Sequence, residues 1–110
     1  MALPTTITTK LPNNLTAVTT VAVLNGMQTA NVVFALVPEG TIASFSLAPT
    51  YPTVANQQFQ IGARHFNLNE IRFQAAFGMQ TGELMCNAVI TDDKGGNATP
   101  FNMPVANWSV

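Results

Sequence analysis

Charge is what this sequence has least of. Four basic and five acidic residues make up 8% of the chain, against about a quarter in an ordinary soluble domain. They are Lys10, Glu39, Arg64, Glu70, Arg72, Glu83, Asp92, Asp93 and Lys94. With a net charge of −1 and no basic cluster, the chain lacks the Lys/Arg footprint that phosphate binding requires, so no nucleic-acid partner is expected. The same absence removes electrostatic attachment to a membrane surface. No apolar run approaches the roughly 18–20 residues of a membrane-spanning helix. The first residues, Met1 to Thr6, show neither a basic nor an apolar signal region. Production in the cytoplasm without a signal peptide is therefore expected.

The reactive side chains are equally scarce. Cys86 is the single cysteine, so no intrachain disulfide can form, and its apolar surroundings in sequence make it a small buried hydrophobe. His65 is the single histidine, and any catalytic triad would have to be built on it. It stands in Arg64-His65-Phe66-Asn67-Leu68-Asn69-Glu70, read as a connection between two strands. The serines Ser44, Ser46 and Ser109 have no local partners and no Gly-x-Ser-x-Gly surrounds them. No His/Cys cluster suits zinc. The run Asp92-Asp93-Lys94-Gly95-Gly96-Asn97 offers two carboxylates and an amide for calcium, but its spacing is that of a hairpin turn. No Gly-rich phosphate loop is present. An enzyme is not expected, nor a cofactor.

What the chain does contain is period-two alternation. Ile71, Phe73, Ala75 and Phe77 alternate with Arg72, Gln74 and Ala76. Phe59 and Ile61 alternate with Gln58 and Gln60, and Ala43, Phe45 and Leu47 with Ser44 and Ser46. This is the pattern of half-buried strands. Val21–Leu24 and Val32–Val37 are apolar at every position, as a strand covered on both faces would be. Asn25-Gly26 is a strong hairpin signal, because both residues tolerate positive φ. Pro38-Glu39-Gly40, Gly78 with Gly82, and Asp92–Asn97 mark further turns, and Pro49–Pro52 a longer crossover.

Eight strands follow, near 5–9, 16–24, 31–37, 41–48, 57–63, 70–77, 84–91 and 101–108. The expected fold is all-β: a single-domain β-sandwich or jelly-roll-like unit of about eight antiparallel strands over residues 11–110, preceded by a Thr/Pro-rich arm at 1–10. A hydrophobic content of 47% in 110 residues is enough for one core.

With so little charge, either the surface is buried in an assembly or neutral amides and hydroxyls keep it in solution. The first reading makes the chain a structural subunit, a virion capsid, decoration or tail component or a similar self-assembling coat protein, acting in a virion or other extracellular assembly. It pairs with itself as a homo-oligomer or with other structural subunits. Val33 and Val37 in the two-faced strand, Tyr51 between its prolines and Trp108 near the end of the chain are the candidate interface residues. The second reading is a carbohydrate-binding module, with Tyr51, Asn56, Asn67, Asn69 or the Asp92/Asp93 pair touching a glycan. Leu11-Pro12-x-Asn14, the strand pair around Asn25-Gly26 and Phe73 to Ile90 follow in an order similar to that of the small bacterial calcium-dependent lectins. Those lectins bind sugar through an acidic run near the C-terminus. Here Thr91–Val110 holds only Asp92 and Asp93, so the likeness is confined to strand spacing and assigns no family. Three glycosylation triplets, at Asn14, Asn97 and Asn107, arise readily in a chain rich in Asn and Thr.

Overall fold

The computed structural model describes residues 4–37, 39–75, 81–92 and 97–109. Eight strands account for most of them: β1 Thr5–Lys10, β2 Leu15–Leu24, β3 Met27–Leu36, β4 Gly40–Leu47, β5 Thr53–Ile61, β6 Arg64–Ala75, β7 Thr81–Asp92 and β8 Asn97–Ser109. A single 3-10 turn, Pro12–Asn14, links β1 to β2. The strands form two antiparallel four-stranded sheets in the orders β1-β2-β3-β4 and β5-β6-β7-β8. Each strand pairs with its sequence neighbour, so each sheet is a meander and the sandwich has no Greek-key crossing. The segment read as an arm is, from Thr5 onward, a strand of the first sheet, with Thr5–Lys10 laid against Thr16–Val21.

Local chemistry explains the turns. Asn25 and Gly26 both adopt positive φ, 51° and 78°, which matches the twist of the flanking strands and closes the β2–β3 hairpin. Gly62, at φ 60°, begins the two-residue turn from β5 to β6, in which Ala63 keeps an ordinary φ. That turn corrects the expected connection at 64–70: β6 begins at Arg64, and His65 lies within a strand, opposite Gln60 and Thr91. The alternation of Phe66 and Leu68 with Asn67 and Asn69 is a strand signal, and it changes phase at a bulge at Asn69 before it resumes at Ile71 and Phe73. The expected connections around Gly78 and at Asp93–Gly96, and the expected strand positions Ala76 and Phe77, lie outside the described residues.

The core lies between the sheets and is filled by the inward residues of each meander. Leu15, Ala17 and Val21 of β2 face Val32, Phe34 and Leu36 of β3, with Phe66, Leu68, Ile71, Leu84, Cys86 and Ile90 opposite. Phe34, Phe45, Phe59 and Phe66, one from each of β3 to β6, form a ring of aromatic contacts. Their centroids are 5.0–6.2 Å apart. Because β4 and β5 are not hydrogen-bonded to each other, this cluster binds the two sheets along that seam. Edge-to-face and offset pairs of this kind add about 0.5–1.5 kcal/mol each beyond area burial.

Each end of the sandwich has its own polar fastening. At one end the Trp108 indole N–H donates to Gln28 Oε1 across the sheets at 2.8 Å, which satisfies both groups in a buried site. At the other, Arg64 donates to the Val37 carbonyl at 3.2 Å and pairs with Glu39 at 3.3 Å, so the β3–β4 turn is tied to β6. Along the β1/β8 seam, Thr9 Oγ1 donates to the Val105 carbonyl at 2.7 Å.

Candidate assembly surface

The side chains of an antiparallel sheet alternate between its two faces, so the register decides what each outer surface displays. On the first sheet the outer face carries the rows Thr6–Thr20–Asn31–Ser46 and Thr8–Val18–Val33–Ser44, with Thr16 and Ala35 beyond them. Strands β1–β4 contain one charged residue, Lys10. On the second sheet the outer face carries Glu70 and Arg72 of β6 and Glu83 of β7, while Arg64 is turned toward Val37 and Glu39 of the first sheet. The scarcity of charge is therefore concentrated on one side: the first sheet presents hydroxyls and short aliphatic groups, the second amides and ions.

The second sheet has an amide row of its own. Asn56 on β5 and Asn69 on β6 are both left out of the residue pairing, between Ala55–Glu70 and Gln57–Leu68. Asn69 then donates to Asn87 Oδ1 at 3.3 Å, and Asn87 stands opposite Asn102. All four asparagines are exposed. Asn67 lies on the neighbouring rung, while Tyr51 stands outside β5, in the crossover where it pairs with Ala48.

The candidate interface residues go to different places. Val33 sits half-buried in the middle of the first sheet's outer face, between Val18 and Ser44. Val37 is not part of the strand: β3 ends at Leu36, and Val37 stands 57% exposed in the following turn. Tyr51 is 65% exposed in the β4–β5 crossover, where its backbone pairs with Ala48. Trp108 belongs to the core. It is 4% exposed, its ring centroid lies 5.6 Å from that of Phe73, and it offers no surface to a neighbour. In Val21–Leu24 and Val32–Val37 the outward Ala22, Val33 and Ala35 are half-buried within one chain, on the face that the sequence reading gave to a neighbouring subunit. Val23 and Leu24 are exposed at the hairpin tip, because β2 and β3 run past the ends of β1 and β4 there.

Sequence reasoning missed the strand edges. The edge strands are β1 and β4 in one sheet and β5 and β8 in the other. An edge presents unpaired N–H and C=O groups that invite another strand. β4 is interrupted by a bulge at Ile42, where the register slips between Phe34 and Ala35. β5 is interrupted at Asn56, whose φ is 58°. β8 contains Pro100 and Pro104 and a register slip beside Met85. Only β1 is regular throughout, with six consecutive pairs to β2 and neither proline nor bulge.

Nothing in the described part of the molecule assembles a reactive centre. No group of three or more His, Cys, Asp or Glu residues comes together among the described residues. Asp93, half of the carboxylate pair considered for calcium or glycan, lies outside them. Cys86 is fully buried, and that burial pushes its thiol from 9.0 up to about 12, holding it protonated and inert. In comparisons with known proteins the chain matches no family model, no curated protein and no solved structure.

Proposed function

We propose that this chain is a non-enzymatic structural subunit that assembles with copies of itself or with other structural subunits, as the coat, decoration or tail components of a virion do. The division of charge between the two sheets carries the reading. An outer face built from Thr, Val, Ala, Ser and Asn, with Lys10 as its one ion, buries without stripping water from charges. It also raises no like-charge barrier to a neighbour. Association through such a face draws on apolar area and backbone pairing, so it responds weakly to ionic strength. Light scattering of the purified protein tests this, run from low to high salt and with and without a calcium chelator. An oligomer of constant mass is expected throughout; a monomer, or an assembly that dissolves as salt rises, overturns the reading.

The exposed row Asn56, Asn69, Asn87 and Asn102 favours a second reading, recognition of a glycan by convergent amides. Against it, no Phe, Tyr or Trp among the described residues shares that face with the row, whereas sugar sites combine polar groups with an aromatic platform. Binding of the monomer to a glycan array, abolished by Asn69→Ala with the fold intact, is the outcome this second reading requires.

A further inference from the structure

The open edge of β1 has a sequence property that the other edges lack. Thr5-Thr6-Ile7-Thr8-Thr9 reads the same in both directions about Ile7. We infer that the partner of this edge is β1 of a second copy of the chain, paired antiparallel about Ile7 so that the two first sheets become one continuous eight-stranded sheet. The inference rests on the self-assembly reading above and adds to the outer face a second contact, along the sheet edge.

The face rule sets the register. In an antiparallel pair, opposed residues point to the same side. Ile7 faces the core and is half-buried, while Thr6 and Thr8 face outward and are exposed. Two copies must therefore meet with inward residues opposite inward residues. Pairing about Ile7 does this at every position: Ile7 meets Ile7, Thr6 meets Thr8, and Thr5 meets Thr9. Opposed threonines and β-branched pairs are favourable cross-strand neighbours. Ile7, left partly uncovered at the sheet edge, gains a matching side chain on the core side. The arrangement is isologous, the usual form of a closed dimer.

Charge agrees with the register. Lys10 is the one ion on β1, and pairing about Ile7 sets it opposite Pro4 of the other copy. The two Lys10 positions then stand about 20 Å apart along the strands, well beyond the screening length of roughly 8–10 Å in physiological salt. The layer beneath does not compete, because β8 carries Pro100 and Pro104 on the same seam. Proline cannot donate to a ladder, and the register slip beside Met85 interrupts β8 further, so β8 is the less regular partner of the two.

Two double variants on exposed positions test the proposal without touching the core. Thr6→Lys with Thr8→Lys sets like charges directly opposite each other across the proposed pair. Thr6→Lys with Thr8→Glu sets opposite charges there instead. In sedimentation at low salt, the first should raise the dissociation constant of the dimer at least tenfold, and the second should associate at least as tightly as the unaltered protein. Unaltered association of the Lys/Lys variant, in a protein that does form oligomers, overturns the β1 interface and leaves the self-assembly reading standing. Equal weakening by both variants overturns the register about Ile7. A monomeric unaltered protein overturns the self-assembly reading and this interface with it.

Discussion

The indole ring of Trp108 occupies the space where a side chain on Gly82 would stand. The two residues are paired across β7 and β8, and a Cβ added at position 82 would fall among the indole atoms Cζ2, Cε2 and Nε1. Only the missing side chain lets the ring lie over β7, reach Gln28 with its N–H and pack against Phe73. Gly82→Ala should therefore expel the ring and break the hydrogen bond, at about 3 kcal/mol, the upper range for overpacking a closed core. Urea denaturation followed by tryptophan fluorescence reads both effects, since Trp108 is the single tryptophan.

Thr19 is a second place where one side chain decides stability. It is fully buried on the inner face of β2, opposite Ile7 and Val32, and its hydroxyl has no hydrogen-bond partner. A buried hydroxyl without a partner costs about 1–3 kcal/mol. Thr19→Val keeps the shape and removes the polar atom, so it should stabilise the fold by about 1 kcal/mol in denaturant melts.

Cys86 makes stability depend on alkaline pH. Burial raises its thiol in the folded chain to about 12 from an ordinary 9.0. The folded state then holds a proton that the unfolded chain releases between those values. Its contribution is fully present below pH 9 and is lost as pH rises toward 12. Cys86→Ala should flatten that part of the stability curve. In the unaltered protein, thiol reagents at neutral pH should react only upon unfolding.

Val33 probes the charge-poor face. It is half-buried between Val18 and Ser44, so Val33→Asp leaves the core intact and should cost the isolated domain only about 1 kcal/mol. If the outer face of the first sheet is covered in the assembly, the same change should abolish large oligomers in light scattering while circular dichroism stays native. Val37→Asp, in the exposed turn, serves as the companion change with no loss of folding. A folded Val33→Asp protein with assembly unchanged would remove this face from the interface.

Much of the strand content was legible in the sequence. The alternation around Ile71–Phe73 and Phe45–Leu47, and the Asn25-Gly26 hairpin, are local signals, and local sterics are enough to specify them. The connection read around His65 was misplaced, because Gly62 turns the chain two residues before Arg64 and the bulge at Asn69 shifts the phase between Leu68 and Ile71, which hides one long strand. Val37 was assigned to the strand on its hydrophobicity alone, although the strand ends at Leu36 and the turn follows.

The sequence by itself determined that this chain forms short antiparallel strands, that its interior is aliphatic and aromatic, and that its surface is nearly without ions. All three follow from composition and from a periodicity of two residues. Only the tertiary structure decided where those few ions gather, which strands become edges, and which edges are guarded by bulges or prolines. It also decided that Trp108 turns inward onto Gly82 and Gln28. Those outcomes depend on pairing between residues as distant as Gln28 and Trp108, and no window along the chain contains both.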